Sequence, residues 1–176
     1  MQELPLFSVK TRMEVKDYRN FLYFAAFRKN IFTIPMIFII SGLGAFLGRY
    51  LIGTFNLQSF FLSWICILAI MVSILCYKVE WKKKRRVQTD RTGAFGSYET
   101  ISFYSDHLVS QSPNVEGSSK LRYEQFYRIY SSRSYLILYY NETMASLVRK
   151  KDMDKETCKG VEKLLKEQFG KRFQPI

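Results

Sequence analysis

The chain has 176 residues with Lys+Arg 27 against Asp+Glu 15, a formal net charge of +12, and 15 Phe and 12 Tyr. That length suits one ordinary domain, yet long uncharged runs take up much of it, and the basic excess points to nucleic acid, an anionic membrane surface or a topogenic signal. Three cysteines, Cys66, Cys76 and Cys158, lack metal-ligand spacing and an even-numbered framework, which argues against a structural disulfide or a metal centre.

The first residues, Met1 to Val9, have no apolar run behind a basic start, so no cleavable signal peptide is expected there. From Leu6 to Lys16 the chain alternates, with Phe7, Val9, Thr11, Met13 and Val15 on one face. A period of two predicts a half-buried strand. Asp17 then suits the N-cap of a helix running toward Arg28, with Tyr18, Phe21, Tyr23, Phe24 and Phe27 able to sit at headgroup level. Residues 1–30 are thus read as a strand and an interfacial helix. The strand's natural partner is a sheet made by the C-terminal part.

Ile31 to Gly48 and Tyr50 to Tyr77 carry no charge. As helices, residues 31–48 and 55–77 would rise roughly 27 and 34 Å, against a hydrocarbon core of about 30 Å. Backbone groups in lipid must bond internally, which favours two transmembrane helices over strands. Pro35, Gly42, Gly44 and Gly48 interrupt the first. Arg28 and Lys29 precede it, and Lys78 and the run Lys82, Lys83, Lys84, Arg85 and Arg86 follow the second, while the connection 49–54 carries only Arg49. Basic residues stay on the cytoplasmic side, so both termini are expected in the cytoplasm of a multi-pass plasma-membrane protein, with the short loop outside. Gly44-x-x-x-Gly48 would allow close helix packing, with the second helix or in a homodimer. Arg49 is read as an anchor reaching the outer headgroups.

Lys82 to Arg86 read first as a stop signal. They would also attract anionic headgroups, at about 1 kcal/mol per basic residue. No recognition element accompanies them, so nucleic acid is not expected as a partner. Residues 78–96 are taken as a basic juxtamembrane linker.

Residues 97–176 are rich in β-formers separated by turns. Strands are expected at Tyr98–Tyr104, Leu108–Ser112 (ending at Pro113-Asn114), Tyr135–Tyr140 and Met144–Val148, with two short strands or one bent one over Lys120–Tyr130. That makes a meander of about six antiparallel strands. Asp154 can cap a closing helix, with Met153 and Cys158 as a hydrophobic staple and Cys158, Val161, Leu164, Leu165 and Phe169 on its apolar face. Gly170 marks its end. His107, the single histidine, is read as a surface turn residue.

The stretch Leu121-Arg-Tyr123-Glu-Gln-Phe126-Tyr-Arg-Ile129, continued by Tyr135–Tyr140 and Ala145–Lys150, resembles the L-x-Y-x-x-I-x-x-I pattern of the YcxB-like family of bacterial membrane proteins. Arg149 stands where the family pattern has Pro, and Met153 where Phe is common. The resemblance implies an α+β membrane protein, a two-helix transmembrane hairpin plus a small antiparallel β domain of pleckstrin-homology-like type closed by a C-terminal helix. It implies no catalytic residue. No nucleophile–base pair, metal signature or phosphate loop is visible, and no cofactor is expected. The spans hold no ionisable residue, which argues against an ion pathway within them. The functional expectation is a membrane-anchored, non-enzymatic interaction module presenting its β domain to a protein or lipid partner. The alternative is an accessory subunit of a larger transport or secretion complex.

Overall fold

The computed structural model describes residues 4–53, 56–91, 93–113 and 117–176. Met1 to Glu3, Thr54 of the expected connection, Phe55 at the start of the expected second span and Asn114 of the expected turn lie outside the described residues. In chain order the elements are β1 (Phe7–Arg12), α1 (Val15–Phe27), α2 (Thr33–Leu51), α3 (Leu57–Gln88), β2 (Tyr98–Phe103), β3 (His107–Gln111) and β4 (Ser118–Arg122). They continue with β5 (Arg128–Ser131), β6 (Tyr135–Tyr139), β7 (Ala145–Arg149), α4 (Lys155–Phe169) and β8 (Phe173–Pro175). The chain is α+β and divides into two units, Met1–Asp17 with Asp90–Ile176, and Tyr18–Thr89.

The first unit holds two four-stranded sheets, ordered β1-β2-β3-β4 and β7-β6-β5-β8. The N-terminal strand does join the C-terminal sheet: β1 runs antiparallel to β2, with Phe7 opposite Phe103 and Arg12 opposite Tyr98. Its alternation places Val9 and Thr11 inside, at 2% and 1% exposure. The strand stops at Arg12, short of the expected Lys16, because the Asp17 carboxylate accepts the Glu14 N–H at 2.9 Å and starts α1 at Val15. Asp17 is therefore not the N-cap. It sits in the first helical turn and bonds back to the cap position, as the acidic partner of a capping box does.

Residues 120–130 resolve into β4, a single 3-10 turn over Tyr123–Gln125 and β5. Tyr123, Phe126 and Ile129 all enter the core. There they meet Val9, Ile101, Phe103 and Leu108 of the first sheet, Leu136, Leu138 and Val148 of the second, and Val161, Leu165 and Phe169 of α4. Asp154 caps α4 as expected, accepting from the Glu156 and Thr157 amides at 3.0 and 2.9 Å. Gly170 ends it at φ 49°, a left-handed conformation that suits glycine. Past that stop, β8 runs parallel to β5, Ile129 opposite Phe173, so the strands are not a purely antiparallel meander.

α4 approaches β1 closely. A Cβ at Gly160 would fall inside the contact radius of the Phe7 ring. Gly160→Ala gains about 1 kcal/mol of helix propensity but incurs an overpacking cost of about 1–3 kcal/mol. Net destabilisation is expected in urea unfolding of the wild type. In the Phe7→Ala background the same change should stabilise, and a double-mutant cycle reads the sign reversal.

In the second unit α2 and α3 pack on each other. Pro35 is the third residue of α2, in its first turn, where the amide has no intrahelical partner to lose, so it does not interrupt the helix. Ile37, Ser41 and Ala45, spaced four apart, are the buried residues of α2. Trp64 Nε1 donates to Ser41 Oγ at 2.9 Å, and Arg49 Nε to Ser63 Oγ at 2.9 Å. Asn56 caps α3 by accepting the Gln58 amide at 3.2 Å. α3 then runs without a break through Gln88, so residues 78–88, expected as linker, are helix. Both helices are long and apolar enough to cross a membrane, and Leu43, Leu47, Leu62 and Ile65 remain more than half exposed on them.

Candidate functional site

Beside the end of β1, the first unit has an open cavity of about 490 Å³. Glu14 and the first turn of α1, Lys16 and Asp17, contribute to its lining. The β5–β6 turn and the start of β6 contribute Arg133, Ser134 and Tyr135, and the end of β7 contributes Arg149, Lys150 and Lys151. Five of the nine lining residues are basic and two acidic.

Its floor is organised by Arg149, 3% exposed. The guanidinium holds Asp152 in a two-point contact, Nε to Oδ2 at 2.7 Å and Nη2 to Oδ1 at 3.0 Å. Nη1 donates to Glu14 at 2.7 Å and to Asp17 at 3.4 Å. Two of these carboxylates accept further bonds: Thr11 donates to Asp152 at 2.8 Å and Tyr135 to Asp17 at 2.8 Å. Arg12 sits 3.1 Å from Glu14. Burial pushes the Asp152 carboxyl up, but the hydrogen bonds from Arg149 and Thr11 outweigh it and hold the pKa below its ordinary value. The Glu14 pKa is lowered too, chiefly by its hydrogen bond from Arg149.

A second pair closes the neighbouring wall. Lys150 Nζ lies 2.5 Å from Glu162 of α4, and the Ser131 hydroxyl donates to the same carboxylate at 2.6 Å. Burial raises the Glu162 pKa, and the bonds from Lys150 and Ser131 more than reverse that. Around the rim Lys16, Arg133 and Lys151 are exposed, and among the described residues none of them forms an ion pair.

The residues singled out from the sequence lie elsewhere, in the second unit. Lys82, Lys83, Lys84, Arg85 and Arg86 occupy the last turns of α3. Lys83 pairs with Glu80, which Arg19 of α1 also contacts at 2.6 Å. Arg85 lies over the Trp81 ring, 5.5 Å from its centroid. On α2, a Cβ at Gly44 would meet Ile67 at 3.8 Å, an ordinary contact, while one at Gly48 would meet nothing within 4 Å. The buried small residues of α2 are Ser41 and Ala45, and Gly42 lies against Trp64.

His107 is not a surface turn residue. It starts β3 at 4% exposure, stacked 4.4 Å from the Tyr104 ring, with Nδ1 2.5 Å from Asp106. The turn signal Ser105-Asp106 precedes it, and the Tyr104 ring covers it. The three cysteines are free. Among the described residues no group of three or more His, Cys, Asp or Glu is placed to hold a metal ion.

Sequence reasoning missed the Arg149 cluster, which draws on positions 11 to 17 and 135 to 152. One signal was present: a charged residue standing where the family pattern has Pro, at the end of an apolar strand.

The family described as YcxB-like protein matches residues 103–164, from the end of β2 into α4. The match supports the resemblance drawn from Leu121–Ile129 and the strands that follow. β1, the apolar helices and the start of β2 lie outside the matched stretch. No curated protein and no solved structure matches the chain significantly.

Proposed function

We propose that the chain is a membrane-anchored, non-enzymatic interaction module. In this reading α2 and α3 span the bilayer as a hairpin, the connection near Gly53 faces outside, and both termini and the two-sheet unit are cytoplasmic. The two-sheet unit is a pleckstrin-homology-like domain whose open end is plugged by α4. One observation carries the anchor: α3 is a single helix whose apolar surface is exposed along its length and which ends in Lys82–Arg86. Exposed apolar helices of this length are costly in water and favourable in lipid. A basic cluster at one end favours retention on the cytoplasmic side and attraction to anionic headgroups.

The non-enzymatic part is supported by the titratable cluster at the cavity being committed to fixed structural bonds, with Arg149 held by Asp152, Glu14 and Asp17. A second reading, an accessory subunit of a larger membrane complex, is favoured by an apolar groove of about 450 Å³ along α2 and α3, lined by Met36, Ile40, Met71 and Ile74.

Topology decides the anchor. In a variant with Cys66, Cys76 and Cys158 replaced by Ser, single cysteines are introduced by Gly53→Cys or Asn141→Cys. With a membrane-impermeant maleimide, intact cells should label the first and leave the second unlabelled until permeabilised. The reverse pattern, or recovery of the chain in the soluble fraction, would sink the reading.

A further inference from the structure

The rim of the Arg149 cavity carries three cations that form no ion pair among the described residues, Lys151 acting on Glu14 only through its field. The floor carboxylates are held by fixed donors: Glu14 by Arg149 and Arg12, Asp17 by Arg149 and the Tyr135 hydroxyl, Asp152 by Arg149 and Thr11. What remains facing the opening is Lys16, Arg133 and Lys151, with Ser134 between them in the β5–β6 turn. These come from three separate segments: the first turn of α1, the loop after β5 and the residues after β7. Three cations converging from distant parts of a chain repel one another, and an anion placed among them relieves that repulsion. The floor matters because Arg149 and Arg12 offset two of the three negative charges by which Glu14, Asp17 and Asp152 would repel such an anion.

We propose that this cavity binds a phosphate monoester, with Lys16, Arg133 and Lys151 on the phosphate oxygens. A dianion with three acceptor oxygens matches three converging donors better than a singly charged diester does, and Arg133 can engage two of the oxygens at once. A cavity of about 490 Å³ leaves room for a small organic group behind the phosphate. The chemistry is shared by a free phosphate metabolite and by a lipid whose headgroup is a bare phosphate. The inference rests on the interaction-module reading, but its test does not need the hairpin to span a membrane.

The full-length protein in mild detergent is titrated by calorimetry with glycerol 3-phosphate. In parallel it is incorporated into phosphatidylcholine nanodiscs with and without phosphatidic acid, and thermal unfolding is followed. Saturable binding of glycerol 3-phosphate supports the site, with a soluble ligand sufficient. Stabilisation by phosphatidic acid alone supports it with a lipid source. In either case Lys16→Ser/Arg133→Ser/Lys151→Ser should weaken binding at least about tenfold, the loss expected for charge-assisted contacts. The charge-preserving set Lys16→Arg/Arg133→Lys/Lys151→Arg should retain most of it and shows that the fold survives change there. Lys159→Ser/Lys163→Ser/Lys166→Ser on α4 removes equal charge away from the cavity. Binding by neither probe overturns the proposal, and so does an equal loss in the α4 variant. Neither failure bears on the topology labelling at Gly53 and Asn141, so the two readings fail separately.

Discussion

Arg149→Met is expected to destabilise the two-sheet unit by about 3–5 kcal/mol, the range for removing one partner from a buried ion cluster. The substitution keeps volume and apolar stem but strands Asp152 and Asp17, which have little access to water. Arg149→Lys keeps the charge and loses the two-point contact on Asp152, so it should fall between wild type and Arg149→Met. Urea unfolding of the full-length protein in micelles, followed by far-UV circular dichroism of the β signal, measures both. Equal stability of all three proteins would mean that the cluster contributes nothing to folding.

The same cluster fixes the sign of the acid response. The folded pKa values of Asp152, Glu14 and Glu162 lie below their ordinary values of 3.8, 4.5 and 4.5. A depressed carboxylate contributes stability above its unfolded pKa and loses it as pH falls through the folded one. Wild-type stability should therefore decline as pH drops below about 4.5. In Arg149→Met, Asp152 keeps its hydrogen bonds from Thr11 and the Arg12 amide but loses those from Arg149 and the guanidinium charge, so burial weighs more and its pKa moves up. Protonation then relieves a buried charge, so the gap between wild type and variant should narrow toward about pH 3.

The sequence carried the parts of the fold that have a period or a punctuation mark. Val9 and Thr11 alternate, so β1 was visible. Asp154 and Gly170 bracket α4, and a charge-free run followed by Lys82–Arg86 marks α3. What escaped has no local signature. β8 is three residues long, too short for any period, and exists because Ile129 offers an open edge to Phe173. The helical continuation to Gln88 was hidden because a run of like charges reads as solvated linker, although Lys and Arg are good helix formers and Glu80 relieves some of the repulsion. The Arg149 cluster joins residues separated by more than 130 positions, Thr11 to Asp152 and Glu14 to Arg149, and they meet only where β1 comes against the end of β7 in the folded unit. His107 follows the polar turn Ser105-Asp106 and so looks exposed in the sequence, whereas the Tyr104 ring stacks on it and leaves it buried opposite Arg122.

That long-range closure gives the second large effect: the fragment 90–176 is not expected to fold by itself. Without residues 4–17, β2 loses its antiparallel neighbour along its whole length, and the core loses Val9 and the Phe7 contact with α4. Arg149 also keeps one carboxylate of three, leaving a buried guanidinium underpaired. A fully buried valine is worth about 1.5–3 kcal/mol, and an unpaired buried charge costs several more, which together approach the 5–15 kcal/mol available to a domain. The ends to be joined also lie near a contact between the two pieces, where the Gly96 amide donates to the Met13 carbonyl at 2.9 Å. Residues 4–17 joined to 90–176 by a Gly/Ser linker of about ten residues, long enough to close such a gap, should restore a cooperative unit. Proton–nitrogen correlation spectra distinguish the outcomes: collapsed amide dispersion for 90–176 and dispersed, sharp peaks for the joined chain. Native-like dispersion from 90–176 alone would show that β1 is an accessory strand, and the cavity floor would then have to assemble without Glu14 and Asp17.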